Sequence, residues 1–168
     1  LYGNVSLVDV GIEDCSGTYQ ADAMQLDGGG SLRAERVRVE RARGPRGSAV
    51  LTGTSTWTDS TFVDCSKGPQ VGSGGRASFT RISVQGAADY GLTTGVDNGG
   101  GVAVVIDSHI ADGQGNCVGA GTKGTLILRN VTLSNCSAPD NPYVSLKSAE
   151  MAATFQAELL TLEPACEA

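Results

Sequence analysis

The sequence predicts an all-β fold, a single-stranded parallel β-helix (solenoid) of about seven coils with three short strands per coil. Two observations predict this fold class. The 168 residues include 24 glycines and few aromatic side chains, a composition that favours short strands joined by tight turns. Apolar residues also recur in one phrase at intervals of about 22 to 29 residues, a period typical of solenoids, in which each unit buries its apolar face against its neighbours.

The repeated phrase is clearest in Val5–Cys15 and Leu126–Cys136. Its four inward positions are spaced by two, three and two residues, which indicates two short strands joined by a bend. In the first copy these positions are Val5, Leu7, Val10 and Ile12, and the first of them recurs at Leu32, Ser55, Ala77, Ala103, Leu126 and Phe155.

A third short strand is predicted after each phrase, as in Ala23–Leu26, and glycine-rich turns such as Gly28–Gly30 then lead to the next coil. We therefore expect residues 1–168 to form one β-helix domain. Leu1 opens directly into a strand-like segment with no signal peptide before it, so we expect upstream residues to be missing.

The sequence Asn-Val-Thr-Leu-Ser-Asn-Cys at Asn130–Cys136 resembles the usual coil of the right-handed parallel β-helix superfamily, which has the pectate-lyase-like fold. The resemblance extends over nearly the whole chain and implies a right-handed solenoid. It implies little about activity, because this superfamily includes lyases, hydrolases, esterases, adhesins and inert spacers.

Charged residues occupy two bend positions of the repeat. Equivalent positions on adjacent coils are expected about 4.8 Å apart, so carboxylates and guanidinium groups should alternate along the stack as an Asp/Arg ladder. The first position holds Asp9, Arg36, Asp59, Arg81, Asp107, Asn130 and Leu159, and the second holds Asp14, Arg41, Asp64, Gly86, Asp112, Asn135 and Pro164.

We interpret this ladder as structural, because Asp and Asn suit such bends and interleaved arginines separate like charges. A calcium site or a pair of catalytic acids is the alternative. An arginine between Asp9 and Asp59 argues against it, since the arginine would keep both acids ionised whereas a glycosidase needs one protonated. The sequence therefore assigns no catalytic residue, no metal ligand and no cofactor.

The cysteines and the one histidine are weaker signals. Cys136 and Cys166 fall on adjacent coils and could form a disulfide, with Cys117–Cys136 as the alternative pairing. His109 lies between two inward positions, so strand alternation points it outward, where a single histidine is more often incidental than catalytic.

Coil two carries a stripe of exposed arginines. We expect its members to pair with Asp9, Asp14, Asp59 and Asp64 on neighbouring coils. The alternative is that they bind the carboxylates of an acidic glycan or the phosphates of lipopolysaccharide, since guanidinium groups suit such anions. The arginine stripe consists of Arg33, Arg36, Arg38, Arg41 and Arg43.

These observations favour a noncatalytic, secreted or cell-surface β-helix used for adhesion, glycan contact or assembly. A fragment or relative of a polysaccharide lyase or hydrolase that acts on acidic glycans is the alternative. The expected partners are an acidic polysaccharide or a second copy stacked end to end. The formal net charge of −6 argues against nucleic acid as a partner. No apolar run approaches the roughly 18 residues that a membrane span requires.

Overall fold

The computed structural model describes residues 3–16, 22–96, 99–138, 143–146 and 154–163. These residues form seventeen strands and no helix, so the predicted all-β class is confirmed. Consequently no described helix is long and apolar enough to cross a membrane. The ends of the predicted domain, residues 1–2 and 164–168, lie outside the described residues.

Strands alternate with bends and short turns along the whole described chain. In chain order the strands are β1 Asn4–Val8, β2 Gly11–Glu13, β3 Asp22–Leu26, β4 Ser31–Glu35, β5 Arg38–Glu40, β6 Gly47–Leu51, β7 Thr54–Thr58, β8 Thr61–Val63, β9 Pro69–Gly72, β10 Arg76–Thr80, β11 Ser83–Gln85, β12 Leu92–Val96, β13 Val102–Ala111, β14 Val118–Ala120, β15 Thr125–Ser134, β16 Val144–Leu146 and β17 Thr154–Glu163.

All strand pairs are parallel, and each strand pairs with its equivalent one coil away. The first two strands of every repeat form an 11-stranded sheet, and the third strands form a 6-stranded sheet, β3-β6-β9-β12-β14-β16. The register confirms the predicted repeat, because the first inward positions of all seven copies follow one another as partners. They are Val5, Leu32, Ser55, Ala77, Ala103, Leu126 and Phe155.

The coil count is about six complete turns rather than about seven. The seven copies of the phrase enclose only six third strands, which is the number in the smaller sheet. Three strands per coil holds for coils one to four. In coils five to seven the first two strands merge into the single ten-residue strands β13, β15 and β17.

The core lies between the two sheets and consists of the predicted inward columns. Three aromatic rings fill the core at the third and fourth copies of the phrase. The ring centroid of Trp57 lies 5.3 Å from that of Phe62 and 6.3 Å from that of Phe79. Of the two buried inward serines of the third copy, Ser60 is satisfied, since its hydroxyl donates to the Thr58 carbonyl and accepts from a backbone amide, whereas the Ser55 hydroxyl has no hydrogen-bond partner among the described residues.

Both predicted bend columns adopt the left-handed backbone conformation. Every described non-glycine residue in them has a φ between 49° and 56°, and Gly86 has a φ of 66°. Asp and Asn tolerate this region better than other residues with a Cβ, which explains their recurrence here. Arg36, Arg41, Arg81 and Leu159 occupy the same conformation without that advantage.

The disulfide prediction needs a correction. The structure forms the alternative pairing, Cys117–Cys136, and leaves Cys15 and Cys65 as free thiols. Cys166 lies outside the described residues. Cys136 belongs to the expected column after the second strand, and Cys117 immediately precedes β14 one coil earlier. The bridge therefore joins the two sheets across the core rather than stacking along one column.

Candidate functional site

The Asp/Arg ladder forms through bidentate pairs between adjacent coils. In the first bend column Arg36 Nε donates to Asp9 Oδ1 at 2.5 Å and Nη2 donates to Oδ2 at 3.0 Å. Arg81 holds Asp59 in the same way, at 2.6 and 2.9 Å. These fork-to-carboxylate contacts confirm the predicted alternation of charge along the stack.

The second bend column repeats this arrangement once and then changes its chemistry. Arg41 holds Asp14 at 2.6 and 3.0 Å. Further along, asparagine replaces arginine in both columns. Asn130 Nδ2 donates to Asp107 Oδ1 at 2.7 Å, and Asn135 Nδ2 donates to Asp112 Oδ1 at the same distance. The ladder thus runs from charge pairs at coil two to carboxylate–amide pairs at coils five and six.

The arginine partners keep their carboxylates ionised. Hydrogen bonds from Arg36, Arg41 and Arg81 lower the pKa of Asp9, Asp14 and Asp59 respectively, and the opposite charge lowers it further. The same contacts raise the pKa of each arginine above its ordinary value. None of these three carboxylates is suited to donate a proton near neutral pH.

The arginine stripe is present on coil two, but acids accompany most of it. Arg33 contacts Glu35 at 3.4 Å, and its side chain is 74 % exposed. Arg38 contacts Glu40 at 2.6 Å, while Arg36 and Arg41 also contact these two glutamates beside their ladder aspartates. The predicted pairing with aspartates of a neighbouring coil therefore holds for Arg36 and Arg41, through Asp9 and Asp14.

Arg43 is the exception within the stripe. It is exposed, and its side chain forms no hydrogen bond or ion pair with any described residue. Asp59 pairs with Arg81 of coil four rather than with an arginine of coil two. The stripe is consequently a surface of alternating charge, in which Arg43 forms no ion pair with a described residue but acts on Asp14 through its charge.

A shallow, largely open depression of about 560 Å³ lies further along the stack, at the bends of coils three to six, and we call it the ladder groove. One wall is the first bend column, and the other is the outward column of β8, β11, β13 and β15, whose members are register partners. The lining residues are Asp59, Thr61, Arg81, Ile82, Ser83, Asp107, Ser108, His109, Asn130 and Thr132.

Short side chains create this concavity. Arg38 of coil two is the register partner of Thr61, and Thr61 in turn pairs with Ser83. This outward column thus changes from arginine in coil two to threonine and serine in coils three and four. The shorter side chains lower the surface beside the bend column. The floor is sealed, since Ile82 and Ser108 are buried and the Ser108 hydroxyl donates to the Ile106 carbonyl at 2.7 Å.

His109 faces outward into the groove, as strand alternation predicts. It is half-buried between the buried Ser108 and Ile110, and its Nε2 lies 2.8 Å from Ser134 Oγ. The groove therefore presents hydroxyl, carboxylate, amide, guanidinium and imidazole groups together. Such a mixed lining suits a polar ligand held by several hydrogen bonds.

The groove lacks the arrangement of ligands that a metal ion requires. Within the described ranges no three His, Cys, Asp or Glu side chains come close enough to share a metal ion. Asp59 and Asp107 are two coils apart, about 10 Å by strand spacing, with Arg81 between them. The described residues thus offer no calcium site of clustered oxygens.

Sequence reasoning placed the binding surface on coil two and missed the groove. The missed members are Thr61, Ser83, His109 and Thr132, each of which is unremarkable alone. The available signal was their common place in the repeat, two residues after the bend. Aligning the copies by their inward positions shows a column of short polar residues that replaces Arg38.

The fold and groove together define the class: a parallel β-solenoid protein with a polar groove along its stacked bends. Comparison with known proteins adds no closer relationship. No family model matches the chain, and no curated protein or solved structure is significantly similar to it.

Proposed function

We propose that this chain is a noncatalytic, secreted or cell-surface β-helix that contacts a glycan in the ladder groove. The observation that carries the proposal is that two columns of mostly polar residues line the groove. One column runs from Asp59 through Arg81 and Asp107 to Asn130, and the other runs from Thr61 through Ser83 and His109 to Thr132. Their hydrogen-bonding groups repeat once per coil, about every 4.8 Å. A linear polymer of sugar units, whose hydroxyl groups also repeat regularly, is a ligand of matching chemistry.

A noncatalytic role is favoured over the alternative of a polysaccharide lyase or hydrolase. Glycoside hydrolysis requires one protonated acid near a second carboxylate. In the groove Asp59 is held ionised by Arg81, which also separates it from Asp107. The groove thus has features of a binding surface rather than of an acid–base pair.

Secretion or surface display is supported by the disulfide Cys117–Cys136, because disulfides persist mainly in oxidising compartments. Membership of the pectate-lyase-like superfamily and right-handed winding are part of the same proposal. Right-handed winding is also expected on general grounds, since crossovers between parallel strands are right-handed in about 98 % of cases.

A glycan array read for both binding and product release tests the proposal. Ser83→Arg should fill the groove as Arg38 fills the same column in coil two, and we expect at least about tenfold weaker binding. Ser78→Arg is the matched control, because Ser78 is an outward residue of β10 on the same coil and does not line the groove. It should bind as the unmodified chain does.

Three results would contradict the proposal. The first is an absence of binding to every glycan. The second is equal binding by the Ser83→Arg and Ser78→Arg variants, which would place the ligand elsewhere. The third is release of shortened or unsaturated oligosaccharides, which would favour the enzyme alternative instead.

Assembly through end-to-end stacking is a second candidate, supported by unequal burial within one core column. Leu162 of β17 is 49 % exposed, whereas its register partner Leu133 of β15 is fully buried. A second copy that added its strands along β17 would cover this residue. Light scattering after size-exclusion chromatography tests the candidate, and a monomer at high concentration would remove it.

A further inference from the structure

We propose that the ladder groove selects an amino sugar, a glycan unit with a protonated amine, and that Asp107 receives its ammonium group. This inference rests on the proposed function, because it assumes that the groove holds a glycan. It differs from the sequence-based expectation of an acidic polysaccharide on coil two. The charges and hydrogen bonds of four lining residues carry it.

The first step is the balance of charge along the groove. Its lining contains two carboxylates, Asp59 and Asp107, and one guanidinium, Arg81. Arg81 is committed to Asp59 through two hydrogen bonds of 2.6 and 2.9 Å. With histidine counted as neutral, the groove carries one negative charge in excess, and that excess is centred on Asp107.

The second step concerns the hydrogen bonds of Asp107. Its Oδ1 accepts one hydrogen bond, from the neutral amide of Asn130 at 2.7 Å. Its Oδ2 has no hydrogen bond to any described residue, and the side chain is exposed at the bend. An ionised carboxylate has about four lone-pair sites, so Asp107 can accept further charge-assisted hydrogen bonds.

The third step is the chemistry that these surroundings recognise. An ammonium group has three donors, which the free oxygen of Asp107 and the hydroxyl of Thr132 or Ser83 can accept. A uronic acid would instead bring a carboxylate toward Asp107 and be repelled. Arg81 offers such an acid only part of its charge and donors, because two of its five donors are already held by Asp59.

Three oligosaccharide probes test this inference: a glucosamine oligomer, its N-acetylated counterpart and an oligogalacturonate of equal length. Titration calorimetry at mildly acidic pH, at which the sugar amines are protonated and carboxylates are still ionised, should show the glucosamine oligomer binding at least about tenfold more tightly than the N-acetylated one. The oligogalacturonate should bind most weakly. The first two probes share one skeleton, so their difference reports the positive charge.

Asp107→Asn should bring the affinities for the glucosamine and N-acetylated oligomers to within about twofold. Asparagine tolerates the left-handed backbone and can still accept the Asn130 hydrogen bond, so folding should persist. Asp112→Asn is the matched control. Asp112 makes an identical 2.7 Å contact with Asn135 on the same coil but does not line the groove, and this variant should keep the full preference.

Asp59→Asn tests the charge balance from the opposite direction, because it releases Arg81 from its bidentate pair. Binding of the oligogalacturonate should then strengthen relative to the glucosamine oligomer, and an unchanged ratio would overturn the inference. Equal affinity of the unmodified chain for the amine and its N-acetyl form would also overturn it while leaving glycan binding intact. Failure of all three probes and of the glycan array would overturn the proposed function itself.

Discussion

In coil two both outward columns hold arginines paired with acids, whereas in coils five and six the same columns hold aspartate, asparagine, histidine and threonine. Arg36 closes a bidentate pair on Asp9, and Arg38 lies against Glu40. At the equivalent positions of coils five and six, Asn130 makes one hydrogen bond to Asp107, and His109 lies beside Thr132. The backbone conformation at these bends is the same in both regions.

This difference indicates that side chains, not backbone shape, distinguish the proposed binding groove from the rest of a regular solenoid. The long arginines of coil two cover the surface there and pair with neighbouring carboxylates. Exposed pairs of this kind contribute little to stability, so their main effect is to specify which bends stack together. Short residues leave a groove and one carboxylate free for a ligand.

The largest effect that separates the two regions should come from the disulfide, which lies on the groove side. Replacing both Cys117 and Cys136 with alanine should lower the free energy of unfolding by about 2–5 kcal/mol, because the denatured chain loses a constraint across 19 residues. Chemical denaturation measures this value. Cys65→Ala is the control, since this free thiol occupies the same column as Cys136.

A loss in the double alanine variant no larger than that of Cys65→Ala would show that the crosslink does not stabilise the groove coils. We expect the double variant to bind glycan less tightly at elevated temperature, where the groove coils would open first.

The same crosslink can be transplanted to the charged region. Backbone hydrogen bonds place Ser48 in the column of Cys117 and Cys65 in the column of Cys136, each three coils earlier. Ser48 is fully buried and its hydroxyl has no partner, so its replacement loses no hydrogen bond. Ser48→Cys should therefore bond to Cys65 and raise the free energy of unfolding by up to about 3 kcal/mol.

Mass spectrometry under nonreducing conditions, together with thermal unfolding, checks this second disulfide. Ser48→Ala is the matched control because it removes the unsatisfied hydroxyl without adding a thiol. If Cys65 remains reactive in the unfolded Ser48→Cys variant, the two regions do not share the geometry that the repeat implies.

A smaller effect is expected where the first bend column reaches β17. Leu159 has a φ of 53° and is 75 % exposed, so it adopts a left-handed conformation with no compensating burial. Leu159→Asn should raise the free energy of unfolding by about 1 kcal/mol, since asparagine tolerates this conformation and extends the amide part of the ladder. Leu159→Ala lacks the side-chain amide that favours the left-handed conformation and should give no comparable gain in a thermal melt.

The smallest effect should be a loss of stability in acid that arises mainly from the charged coil. The folded-state pKa values of Asp9, Asp14 and Asp59 are lowered by their arginines. A lowered folded pKa gives stability that is present above the unfolded pKa of about 3.9 and is lost as pH falls through the folded value. Thermal unfolding from neutral pH down to about pH 2 should show this loss.

The Asp9→Asn and Asp14→Asn double variant should lose less stability than the unmodified chain as the pH falls. The Asp112→Asn variant, whose carboxylate contacts an amide rather than a guanidinium, serves as the comparison. An equal loss of stability in acid by the double variant and the unmodified chain would mean that the charge pairs of coil two do not contribute to stability.

The sequence alone determined the repeat, the inward columns and the two bend columns. These features depend on local chemistry: apolar residues spaced by two, three and two face inward, and Asp or Asn suits a left-handed bend. Even the degenerate copy with Ser55 and Trp57 kept its register, because its neighbours on both sides impose it.

Three features depend on contacts between coils, so no single copy of the repeat specifies them. The tertiary structure assigned Arg81 rather than Arg36 to Asp59 and paired Cys136 with Cys117, because both choices depend on distances between coils. It also formed the groove, since a concave surface exists only where several neighbouring coils all carry short residues. Local pattern therefore specified each coil, and the contacts between coils specified the surface that can bind a ligand.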